Sequence, residues 1–343
     1  SLSKEVQALQ QEVKKAKALK PYERWNILKA QGFNTYKVLS DHVAFDMVAR
    51  GMSAWSHFQK AALMIGDEAY AGARSYYTLE DALRDVLGID NIVPAHNGIG
   101  AEKLVATTMV KPSQAVLHNR GQQGGLVAAA GGVDLDVTGA KAASMSAPEE
   151  FGADLDVPRL ESELGRLGKE GVAYVHVELC PDGWGGQPVS LANLERVREQ
   201  ATRSGVPLVI GVSDVLTAAW WNHAAASGEA TLSEIARRVV ALADVVVMDA
   251  SHDARSDVGG FAWARNGDVN DALRNQVVVF EGLHTYGGMT GRAMDVFAVG
   301  VREMASPDLT SWHQSQIGQL HDMLRLEGVP VVIIGTQRSE EAR

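Results

Sequence analysis

Two periodicities alternate along the chain. Short apolar runs of strand length, "QAVLH" (114–118), "GVDLDV" (132–137), "VAYVHVEL" (172–179), "PLVIGVS" (207–213), "DVVVMD" (244–249) and "GFAWAR" (260–265), are separated by stretches with the spacing of amphipathic helices. The helical spacing is clearest at 157–167, 190–203 and 231–242. Apolar strands divided by such helices predict a mostly parallel sheet covered on both faces. "TLEDALRDVLG" predicts a helix capped by Thr78 and ended at Gly88, with a short strand in the following "NIVPA". Residues 3 to 19 place Val6, Leu9, Val13 and Ala16 on one stripe of a charged helix, the pattern of an arm that packs on something else. A helix over 309–327 and the apolar run "VPVVIIG" (329–335) complete the pattern.

Ligands of such sheets bind beyond the strand C-terminal ends. Those ends are polar or glycine-rich here: "AHNGIG", "HNRGQQGG", "CPDGWGGQP", "GVSD" and "DASHD". With 343 residues, 46% of them hydrophobic, the chain suffices for one large α/β domain and a smaller appendage. A net charge of -10 argues against nucleic-acid and membrane-surface partners, which reward clustered basic charge, and favours a small-molecule substrate. The single cysteine, Cys180, excludes an internal disulfide. No apolar run approaches the roughly 20 residues of a membrane span, and no signal peptide opens the sequence, so the expected location is cytoplasmic.

Four segments carry a resemblance. "MIGDEAYAG" (64–72), "VPAHNGIGAE" (93–102), "GGQPVSLANL" (185–194) and "QVVVFEGLHTYGGMTGRAMD" (276–295) resemble the tryptophanase and tyrosine phenol-lyase family in order and spacing. The likeness runs from about residue 20 to 330. It implies the aminotransferase-like fold of pyridoxal phosphate enzymes (fold type I) and descent from lyases that eliminate an aromatic group from the β-carbon of an amino acid. It also implies a homodimer or homotetramer. On this reading residues 1–45 are a helical arm, 46–300 the large α/β domain, and 301–343 a reduced small-domain segment.

The cofactor contacts implied by the resemblance are altered. Matching on Gly259, Gly260 and Phe261 puts His252 where the family carries its Schiff-base lysine, and no lysine follows Lys169. The aspartate that meets the pyridine nitrogen aligns with Gly211, and the arginine and asparagine near the ring oxygen align with Asp214 and Asp182. The arginine of the phosphate turn aligns with Ile99, the stacking aromatic residue with Gln122, and a serine near the phosphate with Asp249. Carboxylates would then face a cofactor dianion, so the expectation is a protein independent of pyridoxal phosphate. The family's monovalent-cation set maps to Gly51, Glu68 and Asp257, with Tyr70 as a nearby acid.

The same alignment places Asp182, Asp214 and His252 around one spot. One imidazole with two carboxylates suits a divalent metal such as zinc, manganese or iron, supplemented or oriented by Asp249, Asp253, His96 or His118. Solvated polar residues left in a disused pocket give the same composition. Cys180 reads as a buried thiol rather than a nucleophile paired with His176. Trp184, Trp220 and Trp221 line either an apolar pocket or the core, and Gly98 to Gly100 form a weak anion-binding signal. Two functions follow as expectations. One is a lyase-like enzyme, cofactor-independent or metal-dependent, using His252 and Tyr70 on a small, amino-acid-derived substrate. The other is a non-catalytic subunit that partners an active relative.

Overall fold

The computed structural model describes residues 19–43, 55–120, 125–138, 151–225 and 230–329. The stripe at residues 6 to 16, Gly51, Gln122 and the run from 330 onward lie outside the described residues. The chain divides into two compact units, residues 1–52 and 53–343. In the first, α1 (Pro21–Ala30) is followed by 3-10 turns at Thr35–Lys37 and Ser40–His42. Trp25 and Phe33 meet edge to face at 5.3 Å.

In the second unit helices and strands alternate as the periodicity predicts. The order is α2 (His57–Ile65), α3 (Arg74–Leu87), β1 (Val93–Ala95), α4 (Gly98–Met109), β2 (Ala115–His118), α5 (Gly125–Ala129), β3 (Val133–Asp136), α6 (Val157–Gly171) and β4 (Val172–Glu178). It continues with α7 (Leu191–Ser204), β5 (Leu208–Gly211), α8 (Val215–Ala225), α9 (Leu232–Leu242), β6 (Val245–Asp249), β7 (Gly260–Ala264), α10 (Gly267–Phe280), α11 (Gly291–Met304) and α12 (Pro307–Leu326).

The seven strands form one sheet in the order β1-β7-β6-β5-β4-β2-β3. The pairs from β3 through β6 are parallel, and β7 runs antiparallel between β6 and β1. Alternation along each strand feeds two cores, one on each face. Val246 and Met248 pack into one, Val245 and Val247 into the other. Burial on both faces is why these strands are unbroken apolar runs rather than alternating ones. No helix among the described residues is long and apolar enough to cross a membrane.

One boundary differs from the periodicity. Thr78 is not a cap: α3 starts at Arg74, and the Thr78 hydroxyl donates to the Arg74 carbonyl at 3.1 Å. Tyr76, buried in the apolar face, extends the stripe a turn earlier than the acidic residues suggested. Gly88 does end the helix, in the left-handed conformation at φ 72° that favours glycine.

Candidate active site

The parallel register sets the C-terminal ends of β4, β5 and β6 side by side, at Glu178, Gly211 and Asp249. The loops leaving β5 and β6 carry Asp214 and His252. His252 Nδ1 lies 2.7 Å from Asp214 Oδ2, and both side chains are mostly buried, at 13% and 19% exposure. With the carboxylate accepting the Nδ1–H, Nε2 is the basic nitrogen of the ring. Asp253, next in sequence, serves the scaffold. Its carboxylate accepts from the backbone N–H groups of Leu216 and Thr217 and from the Thr217 hydroxyl, tying this loop to the start of α8. Burial first, then the Asp214 charge, pushes the Asp253 acid up to about 7 against those donors.

Glu178 forms the floor. It is the register partner of Gly211, and a Cβ at residue 211 would stand 2.1 Å from Glu178 Oε2. The glycine therefore makes room for a carboxylate from the neighbouring strand. Burial raises the Glu178 acid to about 7, the Asp214 and Asp182 charges push the same way, and Arg120 and His252 oppose them. Behind Glu178, Arg120 donates to Glu102 at 2.5 Å and meets His176 Nδ1 at 3.3 Å. Burial and the Arg120 charge hold the His176 imidazole down to about 3, so it is neutral.

These values fix a sign. A carboxyl whose folded pKa exceeds its unfolded one binds its proton more tightly when folded, so stability falls as pH rises from about 4.5 to about 7. Glu178→Gln removes that loss. Denaturation midpoints should therefore favour the variant increasingly on going from the lower to the upper end of this window. A pH-independent difference would show that Glu178 is ionised throughout.

At the third strand end, Asp249 reaches α4. Its Oδ2 accepts the Gly98 N–H at 2.8 Å, while Oδ1 accepts from Ser251 N–H and hydroxyl. Asn97 caps the same helix through the Gly100 N–H at 2.7 Å. A Cβ at residue 98 would lie 2.6 Å from Asp249 Cβ and 3.1 Å from its Cα. Gly98→Ala should thus cost about 1–3 kcal/mol, as overpacking against backbone does. Chemical denaturation measures it, and a neutral result would mean that the turn yields.

Several expected site residues lie elsewhere in function or place. Among the described residues, the three acidic or histidine side chains whose ligand atoms come within 4.8 Å of one another are Glu102, His176 and Glu178. Asp182, Asp214 and His252 are not such a set, although His252 Nδ1 and Asp214 Oδ2 lie 2.7 Å apart. The Glu68 carboxylate accepts from Arg292 Nε at 2.6 Å. Tyr70 is 74% exposed and packs on Tyr286. His96 pairs with Glu281 at 2.5 Å, and His118 Nε2 lies 3.6 Å from Asp134. Cys180 is buried, and burial pushes its thiol up, as a packing role requires. Trp220 and Trp221 meet edge to face at 4.8 Å. Glu178, Arg120, Glu102 and His176 escaped sequence reasoning except for a passing pairing of His176 with Cys180. The usable signal was polar residues inside an apolar strand, "VAYVHVEL".

The family model described as Beta-eliminating lyase matches residues 43–329. A tyrosine phenol-lyase of Symbiobacterium thermophilum is 32% identical over 93% of this chain and 72% of its own length. A probable tryptophanase of Aeropyrum pernix is 34% identical over 90% of this chain and 68% of its own. Among solved structures, a variant of SPT with PLP superimposes with a TM-score of 0.57 at 16% identity, covering 82% of this chain and 66% of that one. The shared fold is the aminotransferase-like one.

These matches overturn the expectation of a protein independent of pyridoxal phosphate. The matching family and relatives are lyases of the kind for which the resemblance implies pyridoxal phosphate, and the fold-mate is described as holding it. The local fit is a separate matter. His252 has no primary amine for an aldimine, and Asp249 already takes the Gly98 N–H at the helix end where a phosphate would seek donors. At those two residues the described chain does not fit the cofactor's attachment.

Proposed function

The chain belongs to the beta-eliminating lyase family, and from that premise we propose that it is a lyase acting on a small, amino-acid-derived substrate, with His252 as its base. The observation that carries this reading is the 2.7 Å contact of His252 with Asp214 at the strand ends. In an elimination, the bond from hydrogen to the carbon bearing nitrogen breaks and its proton passes to His252 Nε2. The electron pair forms the new double bond, and the leaving group departs with its own bonding pair and gains a proton. Water then converts the enamine to a carbonyl compound and ammonia. Asp214 fixes the tautomer and stabilises the imidazolium as it forms. Tyr70 is the proposed proton donor to the leaving group. Its exposure suits a contact in a homo-oligomer, where a second copy brings it to the site.

The test is release of ammonia from β-substituted amino acids and the corresponding amines, with and without added pyridoxal phosphate, for the wild type and His252→Ala. Turnover that depends on His252 supports the reading. No turnover with any substrate in either condition overturns it. That result would favour a non-catalytic subunit of an active relative, a reading to which the histidine at the lysine position lends weight.

A further inference from the structure

We infer that Arg255 is a positioning residue for His252, held in that role by the His313 side chain on α12. The inference rests on the lyase reading above for its kinetic consequence and on the loop geometry alone for its structural one. Three observations carry it. First, the turn that presents His252 closes on Arg255, whose N–H donates to the His252 carbonyl at 3.0 Å. Second, Arg255 takes up a left-handed backbone at φ 51°, a conformation that residues other than glycine rarely adopt and that contacts elsewhere must therefore maintain. Third, its guanidinium reaches out of the loop, and Nη2 lies 3.2 Å from His313 Nδ1.

A guanidinium only donates, so Nδ1 is the acceptor and the His313 proton sits on Nε2. Burial first, and then the Arg255 charge, hold the His313 imidazole below its usual range, which keeps the ring neutral and able to accept. His313 follows Thr310 by one turn, and Thr310 is the buried residue of α12 among those described, so the two share the inward face of the helix. Other bonds fasten the neighbouring residues of the loop. Asp253 holds the start of α8, and Gln59 of α2 donates to the Ala254 carbonyl at 3.0 Å and to the Arg255 carbonyl at 3.4 Å. The charges of Asp253 and Glu303 also reach the guanidinium, but Glu303 accepts the Ser56 hydroxyl at 2.6 Å. Removing the contact with His313 lets Arg255 relax toward negative φ, which breaks its bond to the His252 carbonyl and turns the imidazole off Asp214.

Four variants of the full chain test this. Arg255→Met keeps the stem without the donors, His313→Phe keeps a ring without the acceptor, and His313→Asn offers Oδ1 near the place of Nδ1; the fourth combines the first two. In the ammonia-release assay, Arg255→Met and His313→Phe should each lower kcat by about tenfold or more with little change in KM, since displacing a catalytic group by about 1 Å costs up to about 10²-fold. The combined variant should be no worse than the poorer single one, because both remove the same contact. His313→Asn should recover most of the loss. Amide hydrogen exchange over residues 250–258, read by mass spectrometry, should quicken in the first two variants and in their combination, and keep the wild-type rate in His313→Asn. Exchange unchanged in both Arg255→Met and His313→Phe overturns the inference, as does an equal loss in His313→Asn and His313→Phe. Quickened exchange in a protein whose wild type shows no turnover would overturn the lyase reading while leaving the positioning role standing. His252-dependent turnover with kcat unchanged in both single variants would do the reverse.

Discussion

Replacing His252 by alanine is expected to lower kcat/KM for ammonia release by about 10²–10⁴-fold, the range a positioned general base contributes. The structure gives the loss a direction. Asp214 accepts from Nδ1, so Nε2 is the basic nitrogen of the ring, and alanine leaves that carboxylate with no imidazole to orient. Asp214→Asn keeps the shape but offers an amide in place of the acceptor, which lets the ring adopt the wrong tautomer. It should reduce kcat with a smaller change in KM, whereas loss of packing alone would lower the amount of folded enzyme and leave both constants unchanged per active site. Circular dichroism on both variants separates the two. Activity within about threefold of wild type in His252→Ala would remove the imidazole from the mechanism, since a base worth less than that lies far below the usual range.

The largest expected effect on stability is at Arg120. Its guanidinium, buried between α4 and the strand ends, neutralises Glu102 and lies next to His176 and Glu178. Deleting one partner of such a network leaves buried carboxylates uncompensated and costs about 3–5 kcal/mol. Arg120→Ala should therefore lower the unfolding free energy measured in urea by that amount at neutral pH, with part of the loss recovered when Glu102→Gln is added. A loss below about 1 kcal/mol, or no recovery in the double variant, would mean that the network is solvated and behaves as a surface ion pair. The sign of its pH dependence follows from Glu178. With the guanidinium gone, that carboxyl ionises still less readily, so the variant should lose less stability at acid pH than at neutral pH.

Much of the fold was written in the chain because its signals are local. The runs at 172–179 and 244–249 became β4 and β6 with their ends displaced by at most one residue, since an apolar strand buried on both faces needs no partner to be recognised. Gly88 and the N-cap Ser190 ended and began helices as their backbone preferences require. Thr78 failed because a hydroxyl can bond to the carbonyl one turn back as readily as cap a helix, and the burial of Tyr76 decided between them.

The site divides along the same line. Four motifs sufficed to identify the lyase family, and the alignment that the resemblance implies placed Asp214 and His252 at one spot. What they do on meeting was decided in three dimensions. Asp214 Oδ2 bonds to the ring nitrogen, so the pair forms an oriented base, and the metal set imagined around it does not assemble. Glu68 found Arg292, 224 positions away, and Asp249 found the N–H of Gly98 across 151. Glu178 gained its place because its parallel neighbour is a glycine, a consequence of register that no single segment displays. Periodicity along one segment determines which residues are strand, helix and core. Which charges neutralise one another depends on distances between segments, and those are fixed only when the sheet closes.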